Sequence, residues 1–229
     1  MPDTIKKRIG ICLCIIFACC LINTILERVN IKLDTSYISA RQSYGLLADA
    51  ITVAAILYIG FNRKINSNIV VKIGASLLSV CFIISTINCL FLLIKYRWLI
   101  EFTGSVYLVF LVVNIISLIL FYWGTKTWML IKVAITCGII PLLLQYIAFR
   151  KLDPADGYEI YEKNLQSYIE TADFGNILFI IIYAVSLILT IVWLLESSKK
   201  VSAAKVNQQA IKEPNQASKP EFINKIPHK

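Results

Sequence analysis

The polar side chains that could do chemistry in this chain lie inside long apolar segments. One carboxylate, Asp49, falls in such a segment, and three amides, Asn88, Asn114 and Gln145, fall in others. An ionisable group inside a membrane span is rare and often functional, because its charge is costly in hydrocarbon. These four residues are therefore our candidates for a polar path or for contacts between helices, and the sequence leaves both open.

Asp49 carries the strongest of these signals and has two interpretations. Four further residues share its helical face: Gly45, Ala48, Thr52 and Ala55. Small residues allow close helix packing, so the carboxylate should point at other helices and not at lipid. However, Asp49 lies near the start of its segment, where a carboxylate can also stabilise the positive end of a helix. We expect either a structural contact or a proton or cation contact.

Other chemistry is largely excluded by residue type. The single histidine is His228, at the end of the chain, so the apolar body has no imidazole base or ligand. The seven cysteines all lie in apolar segments without a C-x-x-C pair, which is typical of buried thiols acting as small hydrophobes. No nucleotide-binding, hydrolase or metalloprotease signature occurs. We expect no enzymatic activity, no metal and no cofactor.

The elements that hold these residues are predicted from composition. Of 229 residues, 58% are hydrophobic and 16% are charged, and the mean hydropathy is +0.71. Six apolar segments each approach the ~20 residues that cross a ~30 Å hydrocarbon layer as a helix. They lie at roughly 9–26, 45–62, 73–95, 103–124, 128–149 and 174–195. The sequence predicts an all-α, polytopic membrane helix bundle with about six transmembrane helices.

The first segment has an alternative interpretation. It follows three basic residues within the segment 1–8 and could be the apolar region of a signal peptide. No small-residue cleavage site follows it, so we expect a retained span.

Helical spacing predicts which faces of the spans meet. Asn176, Tyr183 and Thr190 recur at intervals of seven in the sixth span, and the third, fourth and fifth spans carry similar polar or small-residue stripes. Such stripes are typical of packed membrane helices and fit a pore equally well. Pro141 removes a backbone hydrogen bond inside the fifth span, which predicts a kink near residues 137–138.

The segments outside the spans differ in charge. The loop 150–173 is net acidic and is predicted to form an amphipathic helix on the outer surface, whereas the tail 196–229 carries seven Lys and is predicted to be disordered. Basic residues favour the cytoplasmic side, which predicts cytoplasmic N and C termini. That preference depends on the tail, since without it the outer loops hold more basic residues. The tail has no Arg, so nucleic-acid binding is not expected.

These features favour a non-enzymatic membrane protein that acts by contact, as a scaffold, sensor or membrane subunit of a larger assembly. Bacterial immunity or phage defence is one form of this hypothesis, and the composition suits a bacterial inner membrane. The alternative is a small oligomeric transporter or ion channel whose path is lined by Asp49, Asn88, Asn114 and Gln145. The expected partners are the lipid bilayer, further copies of the chain, and a cytoplasmic or membrane protein.

Overall fold

A computed structural model of the chain describes residues 3–32, 38–65, 68–95, 104–150 and 158–212. Within these ranges the chain is all-α and contains no strand, which confirms the predicted helical bundle. The helices are α1 (Asp3–Lys32), α2 (Ile38–Phe61), α3 (Ile69–Lys95), α4 (Gly104–Gly124), α5 (Met129–Thr136), α6 (Ile139–Phe149) and α7 (Tyr158–Lys212).

Four helical stretches are long and apolar enough to cross a membrane: Asp3–Leu26, Ile69–Ile87, Val106–Gly124 and Gln166–Glu196. Two shorter apolar stretches, Gly45–Phe61 and Met129–Leu144, coincide with the second and fifth predicted spans. Every helix also exposes large hydrophobic side chains. An exterior of this kind is typical of association with a membrane.

The helices close into a ring. α1 packs between α2 and α7, α3 packs between α2 and α4, and α5 and α6 complete the ring by packing against α4 and α7. α1 and α7 run antiparallel, because Gly10 lies against Leu194 near one end and Arg28 meets Asp173 near the other. We call the end at which α1 begins the N-terminal end; it also holds the α2–α3 and α4–α5 connections.

The apolar core lies mainly in the half of the bundle toward the N-terminal end. α1 contributes Phe17, α2 contributes Ile56 and α4 contributes Phe121, all fully buried. The Phe17 ring stacks on Tyr122 of α4 at a centroid distance of 5.9 Å, and Phe121 meets Tyr122 edge-on at 4.9 Å. Aromatic pairs in these geometries add to the area that they bury, so this cluster ties α1 directly to α4.

The two faces of α3 follow from the periodicity of its sequence. Ala75 and Ser79 are buried, whereas Ile73, Val80 and Ile87 are each nearly half exposed. Ala75 and Ser79 are four positions apart, and Ile73, Val80 and Ile87 recur every seven positions. Both spacings place residues on one side of a helix. The small-residue stripe predicted for this span therefore faces the interior of the bundle, and the opposite apolar face lies outward.

Gly74 marks the closest approach of α3 to α4. A Cβ atom added at Gly74 would lie 2.5 Å from the backbone nitrogen of Phe121 and 2.8 Å from the backbone carbon of Leu120. Backbone atoms cannot rotate away as a flexible side chain can, so only glycine fits here without moving a helix. Gly60 of α2 lies against Ala75 in the same way, and small residues therefore set the spacing of α2, α3 and α4.

The fifth span is interrupted. α5 ends at Thr136 and α6 begins at Ile139, with a turn at Cys137 and Gly138. Proline has no N–H, so Pro141 cannot donate to the carbonyl of Cys137, four residues earlier. The N–H of Ile140 donates to that carbonyl instead, at 3.1 Å. The interruption thus lies at the residues where the sequence predicted a kink.

α7 differs from the expected division of its sequence. We predicted a separate surface helix in 150–173, a span at 174–195 and a disordered tail from 196, but the helix runs unbroken from Tyr158 to Lys212. The physical reason is the absence of proline between Pro154 and Pro214, since proline is the residue that most strongly ends a helix. The rest of the predicted loop turn and tail, 151–157 and 213–229, lies outside the described residues.

Candidate functional site

Asp49 is the hub of a polar contact among three helices. The Nδ2 of Asn23 on α1 donates to Asp49 Oδ1 at 2.8 Å, and the hydroxyl of Thr86 on α3 donates to Asp49 Oδ2 at 3.2 Å. Both carboxylate oxygens therefore accept hydrogen bonds from side chains of other helices. Hydrogen bonds to an ionised carboxylate are stronger than those between neutral groups, so Asp49 joins α1, α2 and α3.

The local sequences bring these groups into reach. Gly45, one turn before Asp49, leaves space for Asn23: a Cβ added at Gly45 would lie 3.8 Å from Asn23 Oδ1, an ordinary contact distance. Ala48, which precedes Asp49 in the sequence, is buried, and its small side chain lets the helices approach each other. Thr24, next to Asn23, donates instead to the carbonyl of Cys20 in its own helix at 2.9 Å. Of these two residues, Asn23 is therefore the one whose side chain contacts another helix.

Near Asp49, two polar atoms have no hydrogen-bond partner among the described residues. They are Asn23 Oδ1 and the buried hydroxyl of Thr52. Thr52 lies one turn beyond Asp49 on α2. A buried polar atom without a partner costs free energy. Each of these two atoms is therefore able to form a further hydrogen bond with a polar group.

The other predicted site residues are less fully described. Asn114 lies half-buried on α4, where its backbone carbonyl accepts a hydrogen bond of 2.8 Å from the buried Ser117 hydroxyl. The side chains of Asn88 and Gln145 lie outside the described residues. Of the four predicted residues, Asp49 is the one for which the structure supplies side-chain partners.

Sequence reasoning missed Asn23 as a site residue. A signal was present: Asn23 is an amide near the end of the first apolar segment, and Asp49 lies near the start of the second. Consecutive membrane helices joined by a short connection run antiparallel, so these two positions lie at similar depth. Thr86 lies on the third span, for which a polar and small-residue stripe was predicted, but its contact with Asp49 was not predicted.

The polar stripe of α7 faces the interior of the bundle. Asn176, Ser186 and Thr190 are buried, and the Thr190 hydroxyl donates to the carbonyl of Ser186 at 2.7 Å. Asn176 Nδ2 and the Ser186 hydroxyl have no hydrogen-bond partner among the described residues. Of the stripe predicted at intervals of seven, Asn176 and Thr190 are buried and Tyr183 is half-buried. Ser186 was not predicted as a member and adds a further buried polar group.

A salt bridge joins α1 to α7 at the end opposite the N-terminal end. Arg28 Nε lies 2.9 Å from Asp173 Oδ1, and both side chains are about one-third or less exposed, at 34% and 26%. A partly exposed pair contributes little to stability. Its main effect is to define which residues of the two helices stand side by side.

The described part of the chain contains no group of three His, Cys, Asp or Glu side chains that could hold a metal ion. The cysteines whose side chains are described, at positions 12, 14, 19, 20, 81 and 137, are free thiols. Comparison with family models, with curated proteins and with solved structures found no match to this chain.

Proposed function

We propose that this chain is a multi-pass membrane protein that acts by contact, as a scaffold, sensor or membrane subunit of a larger assembly. The observation that carries the proposal is the use of Asp49. Both of its oxygens accept hydrogen bonds from protein side chains, Asn23 and Thr86. A carboxylate whose oxygens are occupied in this way supports helix association in place of ion transfer.

The proposal includes a topology with both termini in the cytoplasm. Lys6, Arg63, Lys64 and Lys126 belong to the N-terminal end of the bundle, and basic residues favour the cytoplasmic side of a membrane. The part of α7 before its span is acidic and the part after it is basic. This charge order supports the same orientation and also complements the helix dipole.

The proposed setting is a bacterial inner membrane, with bacterial immunity or phage defence as one form of contact function. Composition supports the setting, and small size with the lack of catalytic signatures supports the role. A contact protein needs a partner, which we propose to be further copies of the chain together with a cytoplasmic or membrane protein. Nucleic acid is not among the proposed partners.

The second candidate function, a small oligomeric transporter or channel, is favoured by one specific observation. Among the described residues, several buried polar side-chain atoms have no hydrogen-bond partner, including the hydroxyls of Thr52 and Ser79 and the Nδ2 of Asn176. Polar groups that face the inside of a membrane bundle commonly mark a substrate or ion pathway. Asp49 would then exchange its present hydrogen bonds for contact with a passing cation or proton.

Reconstitution into proteoliposomes separates the two functions. Purified full-length protein is compared with empty vesicles for proton, sodium and potassium flux, and the variant Asp49→Asn is measured in parallel. The contact function predicts no flux above that of empty vesicles. Ion-specific flux that is present in the wild type and lost in the folded Asp49→Asn variant would support the transporter and overturn the contact proposal.

Crosslinking in the native membrane tests whether the chain contacts a protein partner. A photo-reactive amino acid at Ile181 or Ile188, both exposed on α7, should give a discrete crosslinked product of defined mass. The buried position Ser186 on the same helix is the matched control and should give products within the chain only. Exposed positions that capture only lipid would count against a partner at this face.

A further inference from the structure

The N-terminal end of the bundle contains an open cavity of about 470 Å³. It is lined by Asp3 and Lys6 of α1, by Lys126, Thr127 and Trp128 of the α4–α5 connection, and by Trp193 of α7. Three separate parts of the chain therefore build its wall. Two of the six lining residues are lysines and two are tryptophans, a combination of positive charge and amphipathic rings that suits the headgroup level of a membrane.

The lysine on α1 is held in place by the neighbouring helix. Lys6 Nζ lies 4.8 Å from the centre of the Trp193 ring, within the range of a cation–π contact. Trp193 is 7% exposed, so its ring forms a wall of the bundle and not a free membrane anchor. Lys126, which is exposed, lines the same cavity from the α4–α5 connection. The two lysines thus line one space from different elements.

Two further features of the cavity lack partners for their polar groups. The hydroxyl oxygen of Thr127 is buried and has no hydrogen-bond partner among the described residues. Trp128, the N-cap residue of α5, makes no side-chain capping hydrogen bond. Its carbonyl accepts from the N–H groups of Ile131 and Lys132, which leaves the N–H groups of Met129 and Leu130 at the start of the helix. Helix N-termini attract anions through these amides and through the helix dipole.

We propose that this cavity binds a phosphate group, carried either by the headgroup of an anionic phospholipid or by a soluble phosphate ester. Lys6 and Lys126 supply the positive charge, and the N–H groups at the start of α5 supply neutral donors. Asp3 also lines the cavity and opposes an anion, but the two lysines leave the lining net positive. Phosphate fits this set because several oxygens can accept from donors on different sides at once. The site depends on the proposed membrane location and not on the contact function.

The test uses the full-length protein in nanodiscs of neutral phosphatidylcholine, with phosphatidylglycerol as the added lipid. Bound phosphatidylglycerol is counted by native mass spectrometry over a range of lipid fractions. The double variant Lys6→Gln/Lys126→Gln should bind about tenfold more weakly than the wild type, because each loss removes a charge-assisted contact.

The matched control is Arg63→Gln/Lys64→Gln. Both residues are exposed at the same end of the bundle, in the α2–α3 connection and outside the cavity, and the change in net charge is the same. The control should bind phosphatidylglycerol nearly as well as the wild type. Equal loss in the two double variants, or no loss in either, would show only diffuse surface attraction and would overturn the site.

Competition identifies the source of the phosphate. If glycerol phosphate displaces the lipid at concentrations similar to those at which it binds lipid-free protein, the site takes a soluble phosphate ester. If millimolar glycerol phosphate leaves the bound lipid in place, the site takes a phospholipid headgroup. Either result requires that the Lys6 and Lys126 variant lose binding selectively. Because flux and partner capture are measured separately, failure here is distinguishable from failure of the contact function.

Discussion

Asn23 of α1 and Asp49 of α2 form a hydrogen bond of 2.8 Å between Asn23 Nδ2 and Asp49 Oδ1. The two residues are 26 positions apart in the sequence, and the Thr86 hydroxyl of α3 completes the contact from the other side. One carboxylate therefore fixes the relative positions of three helices. The role of Asp49 can therefore be tested by substitutions that change its charge or its hydrogen bonds separately from its shape.

Asp49→Asn should preserve the fold. The amide oxygen can still accept from Asn23, and the amide nitrogen can donate to the Thr86 hydroxyl, which accepts as well as donates. Asp49→Ala removes both contacts and should lower the stability by about 1–2 kcal/mol. Thermal unfolding of the two variants in mild detergent measures the difference. An Asp49→Ala protein as stable as the wild type would show that the contact does not hold the helices together.

Gly74→Ala should destabilise the bundle, because the added Cβ would lie 2.5 Å from the backbone nitrogen of Phe121. Overpacking of this kind costs roughly 1–3 kcal/mol. Gly45→Ala is the matched control: its nearest contact is at 3.8 Å, and alanine is the better helix former by up to about 1 kcal/mol. The melting temperature should fall for the first variant and stay equal or rise for the second. The reverse order would mean that α3 and α4 are not so close.

The antiparallel pairing of α1 and α7 can be tested by crosslinking. In a protein freed of native cysteines, Arg28→Cys with Asp173→Cys should react efficiently with a short bifunctional thiol reagent, because these side chains meet in a salt bridge. Lys6→Cys with Asp173→Cys places the two thiols at opposite ends of the bundle and should not react within one chain. Efficient crosslinking of the control pair would contradict the arrangement of these helices.

The proposed topology predicts the accessibility of the two ends of α7. In intact cells, an impermeant thiol reagent should label Glu162→Cys and leave Lys205→Cys unlabelled until the membrane is opened. Lys64→Cys, in the α2–α3 connection, should behave like Lys205→Cys since both belong to the cytoplasmic side. Labelling of Lys205→Cys and Lys64→Cys alone would invert the topology, and labelling of all three would exclude a membrane barrier between them.

Much of the fold could be predicted because helices and their faces are local properties. Six apolar segments define six helical regions, and the spacing of Ala75 and Ser79 against Ile73 and Val80 identifies the two sides of α3 before any neighbour is known. The three-residue set on α7 at intervals of seven is inward-facing for the same reason. Continuity is harder to predict: a change of composition at residue 196 suggested the end of a helix, but composition alone does not break hydrogen bonds between successive turns.

Contacts between helices were decided by the tertiary structure. The sequence by itself determined that Asp49 needs polar partners within an apolar bundle, because an isolated charge there is costly. It did not determine that Asn23 and Thr86 are those partners, nor that Trp193 lies buried under Lys6. Such pairings depend on the axial shift and rotation of one helix against another. Those quantities follow from packing over the whole interface, at close contacts such as that of Gly74 with Phe121, and no single segment contains them.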